Sequence, residues 1–336
     1  GNIMIKKLIA AASLLASVAL PGVAAAQTPV KIGIGFGVGF LPLYVADDMK
    51  LVEKHAKAAG VDAAASYQRF SGSAAMQDAV LSGSVDVGVY GVAAMLIAWD
   101  KARNSPQQIF GIAGVNSSPL VLVTNKPDAK SLDDLGPADK IAMPALVSPQ
   151  MYALQMVSEK RWGNGQQDKL KPQVVALPHP EAVNAIMSGG TEVKAYFSTP
   201  PFTQLILDSG KARAIASSED AYGGRSTFLA AGATKKWLEA NPKMAGVLIK
   251  TIEEASDFIR KNPAAAAKIY LKAEPSKLLD EAKVEAMLKA MPDDFGSAAY
   301  GVKTLADFMG RIGGIKTIPA KWQDVFVPEA HASASN

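Results

Sequence analysis

The chain has 336 residues and no cysteine. That absence excludes disulfides, thiolate metal sites and a lipid-carrying cysteine at an export cleavage site. Histidine is almost as scarce, being confined to His55, His179 and His331. His55 falls on a polar helix face, His179 stands between two prolines, and His331 lies close to the end of the sequence. No His-x-x-x-His or Asp/His cluster occurs, so metal-assisted and nucleophilic catalysis have little to build on. Aromatic residues make up 7%, and no stretch interleaves them with clustered Lys or Arg, which argues against nucleic acid as a partner. The glycine-rich turn after Ile34 does not complete Gly-x-Gly-x-x-Gly in either register, because Val38 or Phe40 occupies the last place, and there is no Walker loop. Asp133-Asp134 and Asp293-Asp294 are sequence neighbours that would diverge on a helix, which makes them poor acid–base pairs. An enzyme is not expected, and neither is a cofactor or a bound metal.

A long apolar run is present only at the start. Lys6 and Lys7 precede an apolar stretch over residues 8–20, shorter than the ~20 residues a spanning helix needs. Pro21 and Gly22 break it, and Val23-Ala24-Ala25-Ala26 supplies the small side chains a signal peptidase accepts. Residues 1–26 therefore read as an export signal cleaved before Gln27, placing the remainder in the periplasm without a lipid anchor. The net charge of +4 includes the two lysines of that signal, so the exported part is close to neutral. Its 49% hydrophobic and 20% charged content, over this length, suits a globular chain large enough for two domains.

Short β-rich runs alternate with helical ones, the pattern of parallel sheets covered by helices. Strands are expected over residues 30–34, 67–70, 85–89, 108–115, 119–124, 140–143, 173–177, 193–197, 212–216 and 228–231. Helices are expected over 41–57, from a Ser73 cap to a Gly83 stop, over 92–103, over 149–161 capped by Ser148, and over 181–187. A short helix follows Pro201, and the chain is almost wholly helical after residue 234. Ser131-Leu132-Asp133-Asp134 carries a capping-box signal for one turn. An internal echo relates residues 79–87 to 185–193: each is a helix end, a Ser-Gly stop and an entry into a strand. Two such joints are what two similar α/β lobes would produce.

Four stretches carry a resemblance. They are residues 31–53 (KIGIGFGVGFLPLYVADDMKLVE), 70–90 (FSGSAAMQDAVLSGSVDVGVY), 131–144, with S-L-D-D-L and K-I-A-M-P, and 175–202, with L-P, E-A-V, G and P-F. In order and spacing the chain resembles the nitrate/sulfonate/taurine family of ABC-importer binding proteins, over roughly residues 30–260. The resemblance implies an α/β, two-lobed periplasmic-binding-protein type II fold, each lobe a mixed sheet flanked by helices. Lobe one would be residues 28–118 plus 218–330, and lobe two residues 119–217. It further implies a monomer that captures a small polar or anionic organic solute (sulfonate-, nitrate- or carboxylate-like) between the lobes and delivers it to an ABC permease in the inner membrane. Two alternatives share the fold. One is a ligand-binding input protein for a membrane sensor. The other is a pyrimidine-precursor synthase, which relies on a cysteine-rich segment this chain lacks. Many relatives carry Trp-Asp/Glu-Pro-Tyr/Phe at the cleft edge of lobe two, where this chain reads Thr199-Pro200-Pro201-Phe202.

In such a fold ligands sit beyond the carboxyl ends of the strands, where helix N-termini present free N–H groups and partial positive charge. Three loops are candidates there: Gly37, Val38, Gly39 and Phe40; Ser71, Gly72 and Ser73; and Ser148, Pro149 and Gln150. Tyr90, Gly91 and Val92, then Asn116 with Ser117, follow two other strands. Thr199, Pro200 and Phe202 complete the list of loop candidates. Arg225 offers a guanidinium fork for a carboxylate, sulfonate or phosphate, with a weaker claim for Arg69. For each of these residues taken alone, an ordinary turn, cap, core or surface role is the competing explanation.

Overall fold

The computed structural model describes Gly22 and residues 26–332. The expected export signal lies outside the described residues except for Gly22 and Ala26.

The chain first lays down β1 (Thr28–Ile34), α1 (Leu41–Asp48), α2 (Leu51–Ala58), β2 (Ala63–Arg69), α3 (Ser73–Ser82), β3 (Val87–Gly91), α4 (Val92–Lys101) and β4 (Ile109–Asn116). It then crosses over and builds β5 (Val121–Thr124), β6 (Lys140–Met143), α5 (Pro149–Trp162), β7 (Val174–Ala176), α6 (His179–Ser188), β8 (Val193–Ser198), α7 (Phe202–Asp208), β9 (Arg213–Ser217) and α8 (Ser218–Tyr222). A second crossing returns it as β10 (Leu229–Thr234), followed by α9 (Lys235–Ala240), α10 (Met244–Lys261), α11 (Pro263–Ala273), α12 (Glu281–Ala290) and α13 (Val302–Arg311).

Two five-stranded mixed sheets result, ordered β2-β1-β3-β10-β4 and β7-β6-β8-β5-β9. In each, four strands run in one direction and a strand from across a crossing, β10 or β5, inserts antiparallel between two of them. The crossings run side by side. Leu120 and Ser218 exchange bonds, Leu120 N–H to Ser218 Oγ at 2.9 Å and Ser218 N–H to Leu120 O at 2.8 Å. Nearby, Phe228 N–H donates to Asn116 O at 2.9 Å.

Strand alternation sorts the second lobe's side chains onto two faces. Leu122, Ile141, Met143, Ala195 and Phe197 pack under α5, while Val123, Ala142 and Tyr196 pack under α6 and α7. The first lobe has a single larger core, because α10, α12 and α13 return to cover its sheet. This explains why the sequence after residue 234 reads as helix after helix.

All ten expected strands are present within a few residues of their anticipated ends. The expected helix over 41–57 is broken in two: Lys50 adopts a left-handed φ of 55°, so the chain turns between Asp48 and Leu51. Gly72, not Ser73, occupies the cap of α3, and α6 starts at His179 with Pro180 second. Ser148 does cap α5, accepting from Met151 N–H at 3.2 Å. Among the described residues no helix is long and apolar enough to cross a membrane.

Candidate functional site

The parallel strands of both sheets point their carboxyl ends at a shared cleft of about 880 Å³. Lobe one contributes the loops after β1 and β2 and the end of β3. Lobe two contributes the loops after β6, β7 and β8. A strap after α11, Glu274 to Leu279, closes one side. The lobes touch beside the cleft. Gly91 lies against the Pro149 ring so closely that a Cβ there would sit 2.6 Å from Cγ. Arg311 Nη2 on α13 reaches Glu159 Oε1 on α5 at 2.5 Å.

Nine expected residues face the cleft: Phe40, Ser71, Gly72, Ser73, Tyr90, Ser148, Pro149, Gln150 and Phe202. The other nine lie outside its lining, each for a visible reason. Val38 and Val92 are buried in the lobe-one core. Gly39 is packed under Leu229 and Asn116, and Gly91 lies beneath Pro149. The Asn116 amide closes a local turn with Ser118, accepting from its N–H and donating to its hydroxyl, both at 3.0 Å. Thr199 is buried, its carbonyl accepting from Thr203 N–H at the start of α7, and Pro200 presents its carbonyl to Gly37.

Gly37 and Arg225 carried the expectation of anion binding, and each already holds an anion of the protein's own. Gly37 has φ 116°, a conformation that favours glycine. Its N–H points at both oxygens of Glu274, at 2.8 and 3.0 Å. The same carboxylate accepts from the Tyr44 hydroxyl at 2.5 Å and the Tyr270 hydroxyl at 3.3 Å, and lies 3.7 Å from Arg69 Nη1. Burial, then the neighbouring carboxylate, pushes the Tyr44 and Tyr270 hydroxyls far above the usual phenol range, so both remain donors. Arg225 donates to Asp294 Oδ1 at 2.9 Å, and to Ser117 Oγ and Asp293 O at 3.0 Å each. Arg69 also covers the Phe36 ring, 4.6 Å from its centroid.

The cleft wall is mainly apolar. Phe36, Phe70, Met76, Phe228 and Leu278 line it together with Phe40 and Phe202. Of ionisable side chains in the lining, Lys277 is exposed and Glu274 is the carboxylate just described. His179 stacks on Phe202 with ring centroids 4.9 Å apart and bonds through Nδ1 to the Tyr196 hydroxyl. Burial lowers its pKa from 6.5 to about 4, so the imidazole is neutral at neutral pH. Among the described residues no group of three or more His, Cys, Asp or Glu side chains is placed to hold a metal ion.

Among the polar groups of the cleft, Glu274 and His179 were not placed there by the sequence pattern. The signal for His179 was its place at a helix start after a strand, beside two prolines. Glu274 had no local signal, since its partner Gly37 lies 237 residues away.

Two open mixed sheets flanked by helices, facing each other across a cleft and joined by a double crossing, are the architecture of the type II periplasmic-binding-protein fold. The family comparison is more specific. The profile described as "NMT1-like family" matches residues 23–271, and the chain belongs to that family. No curated protein sequence matches. Among solved structures the chain is similar to the alkanesulfonate-binding protein SsuA from Xanthomonas axonopodis pv. citri bound to MOPS, with 19% identity, TM-score 0.68, 91% of this chain and 99% of that one covered. It is also similar to the periplasmic aliphatic sulphonate binding protein SsuA from Escherichia coli, with 19% identity, TM-score 0.68 and coverages of 90% and 93%. A third likeness is to the periplasmic nitrate-binding protein NrtA from Synechocystis PCC 6803, with 14% identity, TM-score 0.68 and coverages of 90% and 86%. At these identities the likenesses establish the fold.

Proposed function

We propose that this protein is the periplasmic solute receptor of an ABC importer. It captures one small organic molecule between its lobes and presents the liganded form to a permease in the inner membrane, without covalent chemistry. The observation that carries this reading is the cleft of about 880 Å³ walled by the strand ends of both sheets, in a chain of this family. That volume lies in the range of pockets that take up most of a small organic ligand's surface. Lobe two spans residues 119–217 in this reading, and the tied crossings are the axis about which it closes.

The test starts from protein purified from a periplasmic extract. Native mass spectrometry is expected to show one small molecule bound per chain, released on unfolding. Protein refolded free of it is expected to have a larger radius of gyration by X-ray scattering, which contracts when the released small-molecule fraction is returned. If nothing is bound, nothing rebinds and the radius never changes, the receptor reading fails.

A further inference from the structure

The cleft differs from an anion site in three independent ways. First, the Gly37 N–H, the best-placed backbone donor of lobe one, is filled by Glu274 from the same chain. A ligand anion would have to displace a carboxylate that is also held by Tyr44 and flanked by Arg69. Second, the large apolar side chains left most exposed concentrate at the mouth. Phe36 is 59% exposed, Val147 64% and Leu278 59%, all three lining the cleft, with Leu146 at 55% beside Val147. Phe36 belongs to lobe one, Val147 to lobe two and Leu278 to the strap, so both lobes and the strap present exposed apolar groups to the cleft. Exposed large apolar side chains gathered on one cleft mark a binding groove. Third, Gln150 is 3% exposed and lines the cleft, and its side-chain amide has no hydrogen-bond partner among the described residues while still reaching the solvent of the cleft. That amide carries two donors and an acceptor, all left open to a ligand that enters the cleft. Gln150 lies in the first turn of α5, a helix of 14 residues, where its own backbone N–H also has no intrahelical partner, while Met151 and Tyr152 N–H are taken by Ser148.

We infer that the ligand has a flat apolar body and an uncharged hydrogen-bonding head, such as a carboxamide. The head pairs with the Gln150 amide at the start of α5, and the body lies among Phe36, Phe40, Phe70 and Phe202. This inference rests on the receptor reading and narrows it from any small organic molecule to an uncharged one with a largely apolar body, in place of the polar or anionic solute expected from the sequence. A planar anion as small as nitrate would leave most of the cleft unfilled, and a sulfonate would meet a lining whose basic side chain, Lys277, is in solvent.

The test uses N-phenyl-1-naphthylamine, an uncharged probe that brightens in apolar surroundings, titrated into the purified protein. Saturable binding of one probe per chain is expected. Naphthalene-2-carboxamide should displace it at roughly one-tenth the concentration of naphthalene-2-sulfonate, and nitrate should not displace it. A site built to pair with a polar group rejects analogues lacking it by about 10-fold or more. Gln150→Leu should therefore keep the probe but erase the advantage of the carboxamide over 2-methylnaphthalene. Glu274→Gln, which leaves Arg69 without its counter-charge, should shift preference toward the sulfonate. The inference is overturned if the wild-type protein gives no saturable probe binding, if the sulfonate outcompetes the carboxamide, or if Gln150→Leu retains the carboxamide preference. Rebinding of the released natural molecule and the accompanying contraction use none of these probes. A failure here is therefore distinguishable from a failure of the receptor reading.

Discussion

The loop after β1 in lobe one and the turn before α5 in lobe two look alike as sequence: each follows a parallel strand, opens a helix and mixes small residues with a polar or flexible one. They differ in what fills them. At the first, Gly37 N–H already holds Glu274, brought from the far end of lobe one. At the second, Ser148 caps the helix and Gln150 beside it faces the cleft with its amide unfilled. A strand-end loop is a ligand site only when the rest of the chain has not supplied its partner. Arg225 and Asp294 repeat the lesson away from the cleft.

The sharpest test sets Glu274→Ala against Gln150→Ala. Removing Glu274 leaves Arg69 without its ion-pair partner and the Gly37 N–H and Tyr270 hydroxyl without their acceptor, and is expected to cost about 3–5 kcal/mol by denaturant unfolding. Gln150→Ala is expected to change stability by about 0.5 kcal/mol or less, and equal losses would erase the distinction. Next in size is the pH response of His179. Its folded pKa of about 4 lies below the ordinary 6.5, so the unfolded chain binds the extra proton in that interval. Stability is then full above pH 6.5 and declines as pH falls toward 4, by at most about 3 kcal/mol. Urea titrations of His179→Gln, which cannot take up that proton, should show a flatter pH dependence. Arg225→Ala should destabilise by about 1–3 kcal/mol, because the Asp294 carboxylate loses its partner, while affinity for the molecule released from the wild-type protein stays unchanged. A drop in affinity would return Arg225 to the cleft. Smallest in stability is Gly91→Ala. A methyl group there meets Pro149 across the lobes, and about 10-fold weaker ligand binding, or ~1.4 kcal/mol, should come with an unfolding midpoint close to wild type.

The alternation of strand and helix, the double α/β architecture and the Ser148 cap were all legible in the sequence, because each rests on local periodicity and cap chemistry. The break at Lys50 was not: Lys has no special liking for a left-handed φ, and nothing in Asp48-Met49-Lys50 announces it. The cleft was legible as a set of loops, since topology alone places Ser71, Ser148 and Phe202 at strand ends. Its chemistry was not. Whether an N–H or a guanidinium is available depends on contacts such as Gly37 with Glu274 or Arg225 with Asp294, and these join segments far apart in the chain. The apolar mouth escaped for a related reason: Phe36, Val147 and Leu278 are unremarkable singly and share one cleft only when both lobes and the strap are in place.

The bonds exchanged by Leu120 and Ser218 make the entrance and exit of lobe two nearly the same point in space. In the language of chain engineering, the stretch between them is a cassette whose ends are already joined. A circular permutant opened in the exposed turn around Gly163 and Gly165 would leave both crossings intact, and with them the axis on which the two halves meet.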